Sequence, residues 1–247
     1  SKIAKMPFLR GLILMWDAIG LGTKYITISA NYQTGEDEKI EGPMLFGTLV
    51  FSFAVAIGLF FLAPAGVAAL LEKSIHLSSF TTNLIEGIIR LVLVILYIWS
   101  VGKMSDIRRV FTYHGAEHKT INAFEAGEEL TPENVKKYPL FHPRCGTGFI
   151  LILVIFSVIL FALLGPLPNL FIRFMSRIVL LPVLVMLAYE YMRFAANHLD
   201  SLFGRILASP GLALQRLTTV EPSLDVIEVA IASFNAMYHL ENSTNDE

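Results

Sequence analysis

Charge is what this 247-residue sequence has least of: Asp, Glu, Lys and Arg together make up 16%, against about 25% in a globular domain of average composition. Cysteine occurs once, at Cys145, which excludes an intramolecular disulfide and with it a secreted scaffold stapled by such bonds. An excess of one sign is missing too. The 19 basic and 21 acidic residues leave −2, so no global field draws the chain to nucleic acid. The sequence shows no internal repeat and no low-complexity tract. What is abundant is apolar: 54% of residues are hydrophobic and the mean hydropathy is +0.60. That richness excludes disorder. An integral membrane protein remains, and its apolar residues should form blocks of about 20, enough to cross ~30 Å of hydrocarbon.

Four such blocks are present, at about 44–71, 84–101, 147–164 and 170–193. Each is long enough to span, and a soluble helix of that length would carry a polar face. Pro64 and Pro182 lie inside blocks, where neighbouring helices can satisfy the freed backbone groups. The expected fold is all-α, a polytopic membrane protein of about four transmembrane helices. It divides into a head (1–43), a first span pair (44–101), a central loop (102–146), a second span pair (147–193) and a tail (194–247).

Basic residues orient this bundle. Lys2, Lys5, Arg10, Lys24 and Lys39 fall in the head, and Lys103, Arg108, Arg109, Lys119, Lys136, Lys137 and Arg144 in the central loop. Arg205 and Arg216 fall in the tail. The connection 72–83 has only Lys73, and 165–169 has none. The positive-inside rule therefore predicts that head, loop and tail all face the cytoplasm. The outer connections are too short to build a site, so any chemistry is expected on the cytoplasmic side. No cleavable signal peptide is visible.

The head, with Arg10, Asp17 and Lys24 interrupting its apolar positions, reads as a helix lying in the interface in preference to a fifth span. Residues 32–42 read as an acidic linker. In the tail, Asp225 and Glu228 resemble a capping pair, and Ile227, Ile231, Phe234 and Tyr238 follow at helical spacing, which predicts a docked amphipathic helix. The last residues, 241–247, read as a frayed end.

The central loop holds the reactive residue types. Three of the six histidines and the single cysteine lie between positions 114 and 145. His114 and His118 are four apart, so on a helix their rings leave one face a turn apart, a spacing that suits two ligands of one metal ion. Glu117 completes the string H-x-x-E-H, an inverted zinc-protease signature. In such sites the glutamate is a general base toward metal-activated water rather than a ligand. His142 and Cys145 supply two further donors of zinc-binding type around Pro143, in a segment built for a tight turn. Arg144 beside Cys145 favours a thiolate. Glu190, an ionisable residue in the last turn of the fourth block, is a fifth candidate. His114, His118, His142 and Cys145 together would make a closed, structural site. His114 and His118 with Glu190, or with His142 replacing one of them, would leave an open position for water. The sequence allows either. Glu125 is placed to orient an imidazole from behind. His76, His198 and His239 are isolated and read as surface or interface residues.

At these residues the chain resembles the YqhQ-like family of bacterial membrane proteins. The strings that carry the resemblance are RVFTYHGAEHKTINAFE (109–125), LTPENVKKYPLFHPRCGTGF (130–149), AYE (188–190) and PGLALQRLTTVEP (210–222), with LRGLILMWDAIGLGTKYITISAN (9–31) similar to the family's first helix. The resemblance implies a multi-pass protein of the bacterial inner membrane with a cytoplasmic His/Cys cluster, described in the family as a metal-dependent enzyme. It supplies no substrate. Family members carry a further N-terminal stretch with Gly-Gly-Gln and Met-Met-Arg-Gly-Pro motifs. This sequence begins at Ser1 without them, which leads us to expect that a head segment is missing.

The leading expectation is a membrane-embedded hydrolase with a divalent metal, zinc by its donors, acting on a lipid, a membrane-tethered molecule or a membrane peptide. The alternative is a non-enzymatic scaffold with a structural metal or a hydrogen-bonded cluster. Its partners would be translocation, insertion or ribosomal machinery, met through the basic strip Arg108, Arg109, Lys136 and Lys137. A homo-oligomer fits both. A transporter fits less well, because Glu86, Arg90, Arg173, Arg177 and Glu190 sit toward the ends of their blocks and suggest no midplane relay.

Overall fold

The computed structural model describes residues 6–34, 42–165, 167 and 169–243. Every regular element among them is helical. The linker read at 32–42 falls outside the described residues from 35 to 41, as do the last four positions of the chain. Three helical stretches are long and apolar enough to cross a bilayer: Gly42–Ile75, Ser79–Val101 and Gly146–Leu163. A fourth exists if Leu170–Val179 and Leu181–Asn197 count as one span bent by 42°. Three of the four blocks read from sequence are thus single apolar helical stretches with shifted ends, and the last is a broken pair.

The chain forms two compact units, one of residues 1–94 and 153–191, the other of 95–152 and 192–247. The first unit begins with α1 (Leu9–Thr34), followed by α2 (Gly42–Ile57), a π-helical turn at Gly58–Leu62 and α3 (Ala63–Ile75). The π turn and Pro64 have one local cause. Residue 64 has no N–H to give the Phe60 carbonyl four positions back, and Arg90 Nε supplies that hydrogen bond instead, at 2.8 Å. Arg90 stands midway along α4 (Ser79–Val101). Its other nitrogens donate to Glu86 Oε1 at 2.7 Å and to Ser157 Oγ at 2.9 Å, the latter on α7 (Gly146–Leu163). Arg177, on α8 (Leu170–Val179), donates to both oxygens of Glu86 and to Asn83 Oδ1. Glu86, Arg90 and Arg177 are all buried. These charges, read in sequence as lying toward span ends, form one deep network.

The bend between α8 and α9 (Leu181–Asn197) falls at Leu180, two residues before Pro182, whose ring and missing N–H disrupt the turn before it. Near the far end of α9, Glu190 meets α1. Its carboxylate accepts from Arg10 Nε at 2.7 Å, from Arg10 Nη2 and from the Phe8 amide at 2.9 Å.

The second unit holds α5 (Ser105–Glu125), the short α6 (Pro132–Val135), α10 (Leu202–Thr218) and α11 (Leu224–Ser243). Its core is Ala116, Ala123, Val135, Ile227 and Ile231. The tail stripe read from sequence is the docking face: Ile227 and Ile231 are buried, and the Phe124 ring lies 4.8 Å from Phe234 and 5.3 Å from Tyr238.

Candidate metal centre

Every donor in the central loop belongs to the second unit, and α5 organises them. Between α6 and α7 the chain runs without regular structure, so its carbonyls need partners from elsewhere. Three consecutive-face residues of α5 provide them. Lys119 Nζ donates to the carbonyls of Lys136 (2.9 Å) and Tyr138 (2.8 Å). Asn122 Nδ2 donates to those of Pro139 (2.9 Å) and Phe141 (3.1 Å). His118 Nδ1 donates to that of Leu140 at 2.7 Å. This lacing carries the chain along α5 and delivers His142 and Cys145 beside it. The Gln215 side chain then grips His142 from α10, accepting from its amide at 2.9 Å and donating to its carbonyl at 2.8 Å.

A close approach on the other side completes the frame. Gly115, in the middle of α5, is buried, and a Cβ there would meet the Val220 carbonyl at 2.4 Å. The glycine that weakens the helix by propensity is what lets the segment after α10 cross α5. Gly148 and Gly211 allow α7 and α10 a similar contact. The crossing puts the Thr218 carbonyl 2.8 Å from His114 Nδ1.

Both rings are therefore held by carbonyl oxygens, which only accept, so each Nδ1 carries the proton and each Nε2 is left for another role. His114 Nε2 lies 3.1 Å from Cys145 Sγ, and the two ring centroids are 4.2 Å apart. One donor atom from each of His114, His118 and Cys145 lies within 4.8 Å of the others. Thr147 adds its hydroxyl at 3.1 Å and its amide at 3.4 Å from the sulfur, at the start of α7. Burial alone would raise the Cys145 thiol, but the hydrogen bonds of His114, His118 and Thr147 outweigh it and bring the pKa to about 5. Burial alone would likewise lower His114; the contact with Cys145 and the bond to Thr218 reverse this, and its pKa is raised.

The remaining candidates sit differently. The His142 ring is 6.0 Å from that of His118, and its Nε2 faces Glu125 Oε2 at 3.4 Å. Its pKa is lowered, by burial first, with Glu125 opposing. Glu125, read as an orienting residue, also accepts from Arg144 at 2.9 Å. Glu117 is exposed and lines an open pocket of about 480 Å³ together with His114, His118, His142, Arg144 and Cys145. Glu190 lies in the other unit and is taken up by Arg10 and the Phe8 amide. Sequence reasoning had no reason to single out Thr147, Thr218, Leu140 or Gln215. Thr218 and Leu140 act through backbone carbonyls, which leave no mark on residue type, and Gln215 acts from 73 positions beyond His142. Only Thr147, directly after the Cys-Gly pair, lay close enough to the motif to be noticed.

In comparisons with known proteins, a family model described as "Protein of unknown function (DUF1385)" matches residues 6–240. The chain is similar to the uncharacterized protein YqhQ of Bacillus subtilis strain 168. The two are 35% identical over 253 aligned positions, covering 97% of this chain and 79% of that one. No solved structure matches.

Proposed function

This chain belongs to the DUF1385 family, and from that premise we propose that it is a membrane-embedded, metal-dependent hydrolase whose centre lies in the loop between its second and third spans. One observation carries the reading. The Nδ1 atoms of His114 and His118 are tied to backbone carbonyls, and this is how proteins fix ligating imidazoles. The other ring nitrogens are thereby turned, with a thiol of low pKa, toward a common point. Two imidazoles and a thiolate suit a zinc-type divalent cation, and three protein donors leave the further position that catalysis needs. Once bound, such a cation supplies Lewis acidity and acidifies the water it meets. Glu117, on the pocket wall next to His118, takes up the proton. Arg144, on the same wall and exposed, offers positive charge to an anionic part of the substrate.

Cobalt(II) titration of the purified chain in detergent tests this. One equivalent per chain is expected, with the charge-transfer absorption of a thiolate ligand, lost in His118→Ala and in Cys145→Ser. Glu117→Gln should keep that absorption while losing hydrolytic activity. A wild-type chain that takes up no cobalt would sink the reading.

A specific distance favours a second reading. At 3.1 Å, His114 Nε2 and Cys145 Sγ are in direct hydrogen-bond contact. A metal-free cluster of that kind would brace the loop as a scaffold for a protein or ribosomal partner. It predicts a chain without cobalt absorption whose cellular role survives Glu117→Gln.

A further inference from the structure

Beyond His114 and Glu117 lies a second, larger hollow of about 720 Å³ between α5 and α11. His114, Glu117, Ile121 and Thr147 line both hollows, so the two lie side by side with a common wall. Their characters differ. The donor side carries Arg144, whose guanidinium is exposed and keeps N–H groups beyond the one given to Glu125. The larger side is walled by Val110, Phe111, Val229, Phe234 and Met237, and Glu117, on the common wall beside His114, is its one carboxylate. Val110 and Val229 are 58% and 52% exposed there. At the far end, Phe111 packs at Gly102, where an added Cβ would meet its ring at 3.1 Å. Gly102 follows directly on Val101, the last residue of a spanning helix. The apolar hollow thus leads from the donor cluster toward the place where that span leaves the bilayer.

An apolar trough of this size, ending at a hydrolytic centre with a cation beside it, has the polarity of one kind of molecule: a long hydrocarbon chain joined to an anionic head. We propose that the hollow between α5 and α11 binds an acyl chain of a membrane phospholipid, with the ester at Glu117 and the phosphate toward Arg144. This rests on the hydrolase reading for the reaction but not for the binding. In the reaction, water adds to the acyl carbonyl carbon and the carbonyl–oxygen ester bond breaks. Glu117 takes a proton from the water and returns it to the departing glyceryl oxygen. A fatty acid and a lysophospholipid result, with no other reactant consumed.

The test uses the full chain in phosphatidylethanolamine–phosphatidylglycerol vesicles doped with a phospholipid carrying a diazirine at the end of one acyl chain. After irradiation, mass spectrometry should find label at 110–121 and 229–237. Ser233→Trp places an indole in the trough from an exposed position and should lower that label at least fivefold, leaving label around Ile159 on α7 unchanged. His118→Ala should abolish cobalt absorption and leave the trough labelled. Label at 229–237 that ignores Ser233→Trp means α11 merely touches the membrane surface, and overturns the proposal. So does absence of label there, or cross-linking of α11 to a second copy. If label behaves as expected but cobalt is not bound, the lipid site stands and the metal reading falls. If cobalt binds and the trough stays unlabelled, the reverse holds.

Discussion

At the scale of single residues, the unusual group is Cys145, whose thiol titrates at about 5 against the ordinary 9.0. The sign of the linkage follows. A depressed acid stabilises the folded state at high pH and ceases to do so as pH falls through its folded value, here about 5. His114 is raised, so its charged form helps only until pH climbs through its own folded value. The ionised pair therefore contributes in the window between them. In chelator-treated protein, the rate of Cys145 alkylation by iodoacetamide should reach half its maximum near pH 5. In His114→Ala the midpoint should move up toward the usual thiol range, as peptide mass spectrometry across a pH series would read. The pairing of His114 with His118 was legible from their four-residue spacing. The partner of Glu190 was not: Arg10 lies 180 positions away, and nothing local to either residue announces it. His142 was legible as a donor type, but its bond to Glu125 depends on how the loop lies along α5.

Among the helices, the informative positions are those where one backbone crosses another. Gly115 sits against the Val220 carbonyl with no room for a methyl group. Gly115→Ala should therefore cost about 1–3 kcal/mol, as overpacking does, seen as a lower thermal midpoint in detergent. Cobalt absorption should weaken as well, because the displaced segment carries the Thr218 carbonyl that orients His114. The sequence gives Gly115 as a poor helix former, and only the crossing shows why it is there. Hydropathy located the long apolar helices because the length needed to cross hydrocarbon shows in composition averaged over about 20 residues. It missed the π turn at Gly58–Leu62 and placed no break at Leu180. Both prolines were visible, but their effect depends on what else bonds the carbonyl four positions back, as Arg90 does at Phe60.

For the whole molecule, charge and chemistry are housed separately. The buried network of Glu86, Arg90 and Arg177 belongs to one compact unit and the donor cluster to the other. Two guanidinium groups share a single carboxylate, so removing that carboxylate strands two cations away from water. Glu86→Gln should destabilise the chain by about 3–5 kcal/mol, the range for breaking a buried pair from one side. Thermal denaturation measures that loss, and the cobalt absorption per folded chain should stay unchanged. The donor cluster was easier to read from sequence than the network for a reason of spacing. Four donor-type residues cluster within 32 consecutive positions, from His114 to Cys145, whereas the network gathers single residues from separate helices.

The lacing along α5 joins residues close in the chain, but the last tether does not: the carbonyl that aims His114 belongs to Thr218, 104 positions further on. During translation, all three donors emerge long before that carbonyl does. A nascent chain stopped anywhere short of it holds all three side chains with one ring still unaimed. Alignment of the cluster is thereby deferred until position 218 has been made, after the last long apolar stretch of the described residues, Leu181–Asn197, has left the ribosome.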